Sequence, residues 1–510
     1  MPVTTSYPGL YLEELPSNAH SITAAPTSIT VFVGYTHPFK TRHFNNAVQL
    51  FSFTDYEREF GGLYVSRYVD SYVAHALNQF FLNGGSNAYV VGLQPQFQSG
   101  PQRDVLPPTL TRGGVVLTGR EPVDPLEMRV TIAPRTGPTA DISITYGNSI
   151  ETYRGVSLDA NSSQYIERVL GTSSVPRSSL VTVAPAAGGY GAAFTGTPDQ
   201  GLPLASNAPA GAVTTFSAKN FTDAFEVDAS LDKVEVFNLL CVPGVADAMV
   251  VNAALSFAER KLAFVIVDPP PQAAADATGS LPTMETLFDT VPKGPNGALY
   301  FPYLRVTNPL TAQPIELPPS GFVAGKFSDN DLRNGVWYAP AGIDTVIGST
   351  SGVVERGRMN DPRHGVLNLK GVNVLRTFRG IGTVIFGART LVSANPAFEQ
   401  WKYVPVRRMA LFIEQSLLRN LTWAVFEPND RPLWTALRTT VNDFMLSLFN
   451  QRAFQGDTPS QAFRVVCDET TTTQLDIDQG RVIILVAFRP LKPAEFVIIR
   501  IAQLAGQSQS

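Results

Sequence analysis

Histidines and carboxylates are the residues of this chain that could do chemistry. The histidines are His20, His37, His43, His75 and His364. They form no HExxH pair and have no cysteine pair nearby, so the spacing does not indicate a zinc site. The acidic run at 468–478 includes Asp476 and Asp478 but does not supply a glycine and a glutamate at the positions that a calcium loop needs. We interpret that run as a solvated loop and expect no metal.

Asp268 is the candidate for a catalytic carboxylate. It ends the run VIVD, and α/β sheets place functional carboxylates at the carboxyl ends of strands. One hypothesis is therefore an α/β hydrolase-like enzyme that uses Asp268, with an inserted domain as its substrate cap. The structural alternative is that Asp268 accepts hydrogen bonds in the turn forced by Pro269, Pro270 and Pro271.

A nucleotide site is poorly supported. Gly380 and Gly382 lie in RGIGTVIFG, which lacks a third glycine and the step from strand to helix that aims amides at a phosphate. A turn between two strands explains these glycines better. The chain has no GxxxxGK[ST] loop either, so we expect neither ATP hydrolysis nor a cofactor.

Composition excludes further classes. The net charge of the 510 residues is only -4, and 16% of them are charged, so a basic field for nucleic acid is absent. Cys241 and Cys467 lie far apart and predict buried thiols in a cytoplasmic protein. We expect neither a secretory signal nor a membrane span, because no basic, apolar leader and no run of about 18 apolar residues is present.

Apolar runs alternate with helical patterns in two stretches. Each stretch reads strand, helix, strand: residues 29–34, 66–83 and 88–93, then residues 236–242, 246–260 and 262–268. Such units predict an α/β layer with a largely parallel sheet. Residues 95–225, between the two units, are rich in Pro, Gly, Ser, Thr and Ala. We interpret them as an inserted β-rich domain that splits the α/β domain into residues 24–94 and 226–355.

Two long helices are predicted in the C-terminal part. The first covers residues 406–426, and the second, residues 432–450, follows the cap candidates Asn429 and Asp430. The first carries two apolar stripes, which implies packing on two sides. The stripes are Met409, Phe412, Ile413, Leu417, Leu421 and Ala424, and then Leu411, Leu418 and Val425. Its polar residues Arg407, Arg408, Arg419 and Glu414 form either a solvated face or a face that meets a charged partner.

The last apolar segment, residues 494–504, predicts a strand that follows strands at 462–467 and 481–488. Phe496, Ile498 and Arg500 would point to one side, with Val497, Ile499 and Ile501 on the other. Pro490 and Pro493 disfavour a tight hairpin with the preceding strand. The segment is therefore either an ordinary last strand or one that adds to the sheet of another chain.

Several strings together resemble the tail sheath proteins of contractile phage tails and of phage-tail-like contractile injection systems. They are YPGLYLEELPS at 7–17, FFLNGGSNAYVVGL at 80–93, LAFVIVDPP at 262–270, NGVWYAPAG at 334–342, LNLKGVNVLRTFRGIGTVIFGART at 367–390, WKYVPVRRMALFIEQSLLRNLTWAVFEPND at 401–430 and EFVIIRIAQ at 495–503. Residues 95–225 carry no such match, and this region is variable in the family.

The resemblance implies a structural subunit of a multidomain α+β and α/β protein. It places an N-terminal arm at 1–23, the insert at 95–225 on the outside and a C-terminal sheath core with a terminal strand arm at 356–510. Subunits of this family stack as hexameric rings in a helical sheath around an inner tube. They contract on a baseplate signal, and their terminal arms add strands to neighbouring subunits. The arms carried over to this chain are Gly9, Leu10, Tyr11, Leu12 and Glu13, and Phe496, Val497, Ile498, Ile499, Arg500 and Ile501.

The implied partners are copies of this chain, an inner tube protein, and baseplate and tail-terminator proteins, without nucleic acid or membrane insertion. A helix bearing Arg407, Arg408 and Arg419 is one candidate to face the tube. The resemblance implies assembly in the bacterial cytoplasm as part of a phage tail or tail-like particle. A non-contractile adhesin or surface-layer subunit stays open as a third hypothesis.

Overall fold

The computed structural model describes residues 21–37, 41–63, 71–93, 97–98, 108–120, 128–146, 149–194, 201–204, 213–214, 216–270, 288–310, 312–354, 359–496 and 498. The chain divides into two compact units. The C-terminal unit comprises residues 1–27, 334–339 and 405–510, and the sheet unit comprises residues 28–333 and 340–404.

The strands of the described residues are, in chain order, β1 (Thr30–Tyr35), β2 (Ala47–Leu50), β3 (Ala88–Leu93), β4 (Phe97–Gln98), β5 (Thr109–Arg112), β6 (Val115–Gly119), β7 (Arg129–Pro134), β8 (Thr139–Tyr146), β9 (Ser149–Ser157), β10 (Val181–Pro185), β11 (Leu202–Pro203), β12 (Val213–Thr214), β13 (Leu239–Cys241), β14 (Phe264–Val267), β15 (Gly297–Phe301), β16 (Leu304–Thr307), β17 (Pro314–Leu317), β18 (Gly352–Val353), β19 (Val372–Phe378), β20 (Gly382–Phe386), β21 (Phe463–Val466) and β22 (Leu485–Phe488).

The α-helices are α1 (Phe53–Phe60), α2 (Val73–Leu82), α3 (Ile166–Val169), α4 (Ala218–Asp223), α5 (Ala248–Arg260), α6 (Ser320–Asn334), α7 (Asp361–Leu369), α8 (Val404–Asn420), α9 (Arg431–Asn450), α10 (Pro459–Ala462) and α11 (Gln474–Asp478). Short 3₁₀ turns cover Pro396–Trp401 and Thr422–Ala424. The chain therefore has a mixed α/β fold.

A largely parallel sheet forms the centre of the sheet unit. Its strand order is β2-β3-β1-β13-β14-β15-β19-β20, and only the outermost pairs, β2 with β3 and β19 with β20, are antiparallel. All six residues of β1 are buried, as expected when helices cover both faces of a parallel sheet. Val31 and Val33 belong to the core that includes α5, whereas the Phe32 ring meets Phe80 of α2 at 5.5 Å between centroids. The predicted parallel layer is confirmed.

The positions of β19 and β20 correct the predicted start of the C-terminal core. We assigned residues from 356 onward to the C-terminal core, but β19 pairs in parallel with β15 and so extends the central sheet. The two strands are largely buried, with Val372 and Val374 in the sheet core, which explains why they join that sheet.

Besides the short antiparallel pair β4 with β12, the stretch between β3 and β13 contains two larger antiparallel sheets, β10-β6-β5 and β11-β7-β8-β9. They share a core of their own, to which Leu117 and Val183 contribute from one sheet and Val130 and Ile142 from the other. Both flanking strands, β3 and β13, pair with β1. The chain thus leaves the parallel sheet at one neighbour of β1 and returns at the other.

Glycines let the main chains of α2 and α6 approach each other closely, on the face of the sheet opposite α5. Gly321 and Gly325 lie one turn apart on α6. A Cβ on Gly321 would lie 2.3 Å from the carbonyl oxygen of Ala76, and one on Gly325 would lie 2.6 Å from that of Phe80. The helix α2 ends near residue 83, as the range 66–83 predicted, because Gly84 has φ +109° and the Gly85 amide donates to the Phe80 carbonyl.

Candidate functional site

Asp268 lies buried at the carboxyl end of β14, where a catalytic carboxylate was one hypothesis. Its Oδ1 accepts from the Ser320 amide at 2.8 Å, and its Oδ2 accepts from the Ser320 hydroxyl at 2.6 Å and the Gly244 amide at 2.9 Å. Burial raises the pKa of Asp268 to about 6, while these hydrogen bonds oppose the rise. The carboxylate thus ties the start of α6 and the loop after β13 to its own strand.

This geometry corrects both hypotheses for Asp268. The turn of prolines supplies none of the three donors, because they come from Gly244 and Ser320. Both carboxylate oxygens accept protein donors and the side chain is 1% exposed, so no substrate reaches Asp268 in this arrangement. The sequence did not reveal Ser320 as the partner, since 52 residues separate the two.

The other candidate residues have structural partners. Gly380 and Gly382, with φ +81° and +114°, form the turn between β19 and β20, so the prediction of a turn is confirmed. Asp476 was placed in a solvated loop, but it caps α11 by accepting from the Thr473 amide and hydroxyl, and these bonds lower its pKa. Cys241 and Cys467 are free and buried, as predicted.

Neither a metal site nor a membrane span appears in the residues that the structure covers. Those residues contain no cluster of three or more His, Cys, Asp or Glu that could hold a metal ion. Along the same ranges, no helix combines the length and the apolar character that crossing a bilayer requires.

The helices α8 and α9 build the core of the C-terminal unit. Met409, Phe412 and Ile413 of α8 pack with Val441 and Phe444 of α9. Asp430 caps α9 by accepting from the Leu433 amide, which confirms one of the two predicted cap residues. Asn429 instead accepts from the indole nitrogen of Trp434 and donates to the Arg481 carbonyl.

The first long helix is shorter than predicted. It ends at Asn420 rather than at residue 426, because Trp423 and Ala424 turn toward the cluster around Trp434. Its second apolar stripe is exposed at two of its three positions, both of which the structure describes. Leu411 is buried, but Leu418 and Val425 are 68% and 61% exposed.

The three arginines proposed to face a partner lie in different settings. Arg407 pairs with Glu414 at 3.4 Å, and Arg419 lies on the exposed side of α8. Arg408 is only 3% exposed and donates to the Thr27 carbonyl at 2.9 Å. The assignment of Arg408 to an outward-facing surface is therefore wrong for this structure, since its guanidinium is held inside the subunit.

A small antiparallel sheet, β21 with β22, lies on the core of the same unit. Val486 and Phe488 pack against α8 and α9, whereas Leu485 on the opposite side is 54% exposed. Within the described residues each strand has one strand partner, so each leaves a sheet edge without a neighbour. The sequence of β22, LVAF, has no charge, bulge or proline, the devices with which proteins usually protect an edge.

The predicted strand arms fall mostly outside the described residues. Gly9, Leu10, Tyr11, Leu12 and Glu13 all lie outside them, as do Val497, Ile499, Arg500 and Ile501. Phe496 and Ile498 are described, and they are 72% and 79% exposed and belong to no strand of this chain.

A row of polar side chains on α8 holds the segment of residues 22–27. Asn420 accepts from the Thr23 amide at 3.1 Å and donates to the Thr23 carbonyl at 2.9 Å. The Ser416 hydroxyl accepts from the Ala25 amide at 3.0 Å. Sequence reasoning missed Ser416 and Asn420, although two polar residues four apart beside an apolar stripe mark one face of a helix.

Comparisons with known proteins give matches in sequence. Residues 397–503 match the phage tail sheath C-terminal domain. The tail sheath protein of Vibrio phage KVP40 is 23% identical over 184 residues, 36% of this chain and 26% of that protein. The tail sheath protein of Enterobacteria phage T4 is 22% identical over 190 residues, 37% of this chain and 27% of that protein. The chain spans about a quarter of the length of these relatives.

Solved structures share the fold over nearly the whole chain. The sheath of an extracellular contractile injection system, PVC, in its contracted state has a TM-score of 0.61 at 21% identity and covers 98% of this chain and 99% of its own. A chain from the baseplate structure of the anti-feeding prophage has a TM-score of 0.58 at 23% identity, with coverage of 98% and 99%. A sheath tail protein from Desulfitobacterium hafniense has a TM-score of 0.53 at 11% identity, with coverage of 95% and 100%.

Proposed function

The chain belongs to the tail sheath family, and from that premise we propose that it is a structural subunit of a contractile sheath. Copies of the chain polymerise as hexameric rings in a helical sheath around an inner tube, between a baseplate and a tail terminator. Contraction drives the tube through a target envelope. The particle is a phage tail or a phage-tail-like injection system that is assembled in the bacterial cytoplasm.

The uncharged edge of β22 is the observation that carries this proposal. A two-stranded sheet is at best marginally stable alone, and an uncharged edge is a template for further strands. The Leu485 side chain adds apolar surface beside that edge. We assign this sheet as the acceptor for strand arms of neighbouring subunits.

The donors are the two arms that the sequence suggested. Residues 496–501 alternate apolar side chains on both faces, so the strand would bury one face on the acceptor core and present the other to a further neighbour. The exposure of Phe496 and Ile498 in the single subunit agrees with cover that comes from another copy. Residues 9–13 form the second donor.

The sheath needs no bound cofactor to contract. The chain lacks a P-loop, and we propose that the energy is the difference between two packings of the same subunits, stored when the extended sheath assembles. Arg407 and Arg419 on α8 are the candidate cations that face the tube. The C-terminal unit is the candidate to contact the tube.

Charging the acceptor sheet tests the assignment of β21 and β22. The double variant Leu485→Lys with Ala487→Lys places two cations on exposed positions of β22. We expect a folded subunit that forms few or no long polymers, because a neighbour's apolar arm would have to bury both charges. Negative-stain micrographs give polymer length, and circular dichroism checks the fold.

Asn442→Lys is the matched control, since Asn442 is exposed on α9 and is not part of β21 or β22. It should polymerise as the unmodified chain does. Long polymers of the double variant would show that this edge is not the acceptor.

A further inference from the structure

The contacts between residues 23–27 and α8 form a regular ladder. Along this segment the hydrogen bonds fall on every second residue: Thr23 with Asn420, Ala25 with Ser416, and Thr27 with Arg408. The residue numbers of the segment rise as those of the helix fall. The segment therefore runs antiparallel to α8.

The spacing of the two elements explains the ladder. Two residues of an extended chain advance about 6.6 Å, and four residues of an α-helix advance about 6.0 Å. Ser416 and Asn420 are four apart and so meet alternate residues of the segment. Arg408 is eight residues from Ser416, and its long side chain spans the remaining distance to Thr27.

Every bond of the ladder goes to the main chain of the segment. Asn420 bonds both the amide and the carbonyl of Thr23, while Ser416 is fully buried and also donates to the Phe412 carbonyl at 2.7 Å. Ala25 packs into the core of α8 and α9 between these rungs. These hydrogen bonds lie side by side along the segment. A force along the segment therefore loads all of them at once, and all must break before the segment slides along α8.

We propose that Arg408, Ser416 and Asn420 are a main-chain clasp that anchors the N-terminal residues and carries load on them into the C-terminal unit. The inference rests on the proposed function, since a load arises only if residues 1–20 bind a neighbouring subunit. The clasp fixes Thr23 at the last turn of α8. When a neighbouring subunit moves and pulls on the N-terminal residues, the force then acts on α8 rather than on the chain from residue 28 onward.

Amide hydrogen exchange of the full-length chain tests the anchoring step. The variant Ser416→Ala with Asn420→Ala removes the two acceptors for the amides of Ala25 and Thr23. Each amide should then exchange roughly tenfold faster, because a lost hydrogen bond of this kind shifts local opening by about that factor. Exchange in peptides covering residues 21–28 gives the rates. Unchanged rates would overturn the clasp.

Ser447→Ala with Asn442→Ala is the matched control. Both residues lie on α9 and are exposed, and Ser447 donates to the Phe444 carbonyl at 2.7 Å much as Ser416 donates to Phe412. This control should leave exchange in residues 21–28 unchanged. Circular dichroism of each variant checks that the subunit stays folded.

Shearing assembled sheaths tests the load-bearing step. Sheaths of the clasp variant should break into shorter pieces than those of the control at equal shear, as measured in micrographs. Equal lengths with faster exchange would show that the clasp holds the segment but bears no load. If the unmodified chain forms no sheath at all, the proposed function fails, while the exchange rates still decide whether the clasp exists.

Discussion

Deleting residues 494–510 should leave a subunit that folds but forms no long sheath. Of the removed residues that the structure describes, Phe496 and Ile498 contribute little to the core of their own subunit, because they are 72% and 79% exposed. Thermal unfolding should therefore stay within about 2 °C of that of the full chain. Assembly should fail because the neighbour loses the strand that completes its sheet. Negative-stain micrographs and a thermal melt measure the two outcomes.

Deleting only residues 505–510 is the control for this experiment. That variant keeps the whole apolar segment and loses a polar tail, AGQSQS. It should form sheaths of ordinary length. Long sheaths from the larger deletion would rule out strand donation by residues 496–501. A large drop in melting temperature would show instead that the segment is an ordinary strand of its own subunit.

Asp268 and His75, two buried groups of the sheet unit, should make the free energy of unfolding depend on pH in opposite directions. Burial raises the pKa of Asp268 from 3.8 to about 6 and lowers that of His75 from 6.5 to about 4. The folded state binds the Asp268 proton more tightly than the unfolded state, so this group lowers stability as pH rises from 3.8 to 6. The folded state binds the His75 proton more weakly, so this group raises stability as pH rises from 4 to 6.5.

Each contribution amounts to about 3 kcal/mol at 1.36 kcal/mol per pKa unit, so the two nearly cancel in the unmodified chain. In the variant Asp268→Asn only the contribution of His75 remains. The free energy of unfolding of this variant should rise by about 3 kcal/mol between pH 4 and 6.5. In the variant His75→Gln only the contribution of Asp268 remains, so the free energy of unfolding should fall by a similar amount as pH rises from 3.8 to 6. Urea unfolding at several pH values measures the slopes.

The slopes are best compared in subunits that carry the 494–510 deletion, since polymers would add a dependence of their own on concentration. Any loss of stability common to all pH values does not affect this test, because only the slope is compared. Two variants with parallel curves would contradict the assignment of these groups as buried titrating residues.

The sequence predicted the parallel sheet because its strands are buried on both faces and read as continuous apolar runs. The run Val31, Phe32, Val33 shows this, since it packs on both sides of the sheet. The same signal could not say which sheet a strand joins, so β19 and β20 were assigned to the wrong unit. Strand pairing between β15 and β19 joins Leu299 to Val372, 73 residues further along the chain, which no local pattern encodes.

The candidate site was predicted only in part for a related reason. A polar residue on a helix face looks the same in sequence whether it faces solvent or the main chain of a distant segment. Arg408 was therefore placed on an outward face, although the Thr27 carbonyl lies beside it. Asp268 was singled out by its position after β14, but its partner Ser320 depends on how α6 packs.

Electron microscopy of the unmodified chain expressed with its inner tube protein tests the central claim most directly. A contractile sheath predicts filaments with cogwheel cross-sections in two populations, one long and narrow and one short and wide. A protein that stays a monomer or small oligomer, or that forms filaments of one fixed diameter with or without the tube, would contradict a contractile sheath.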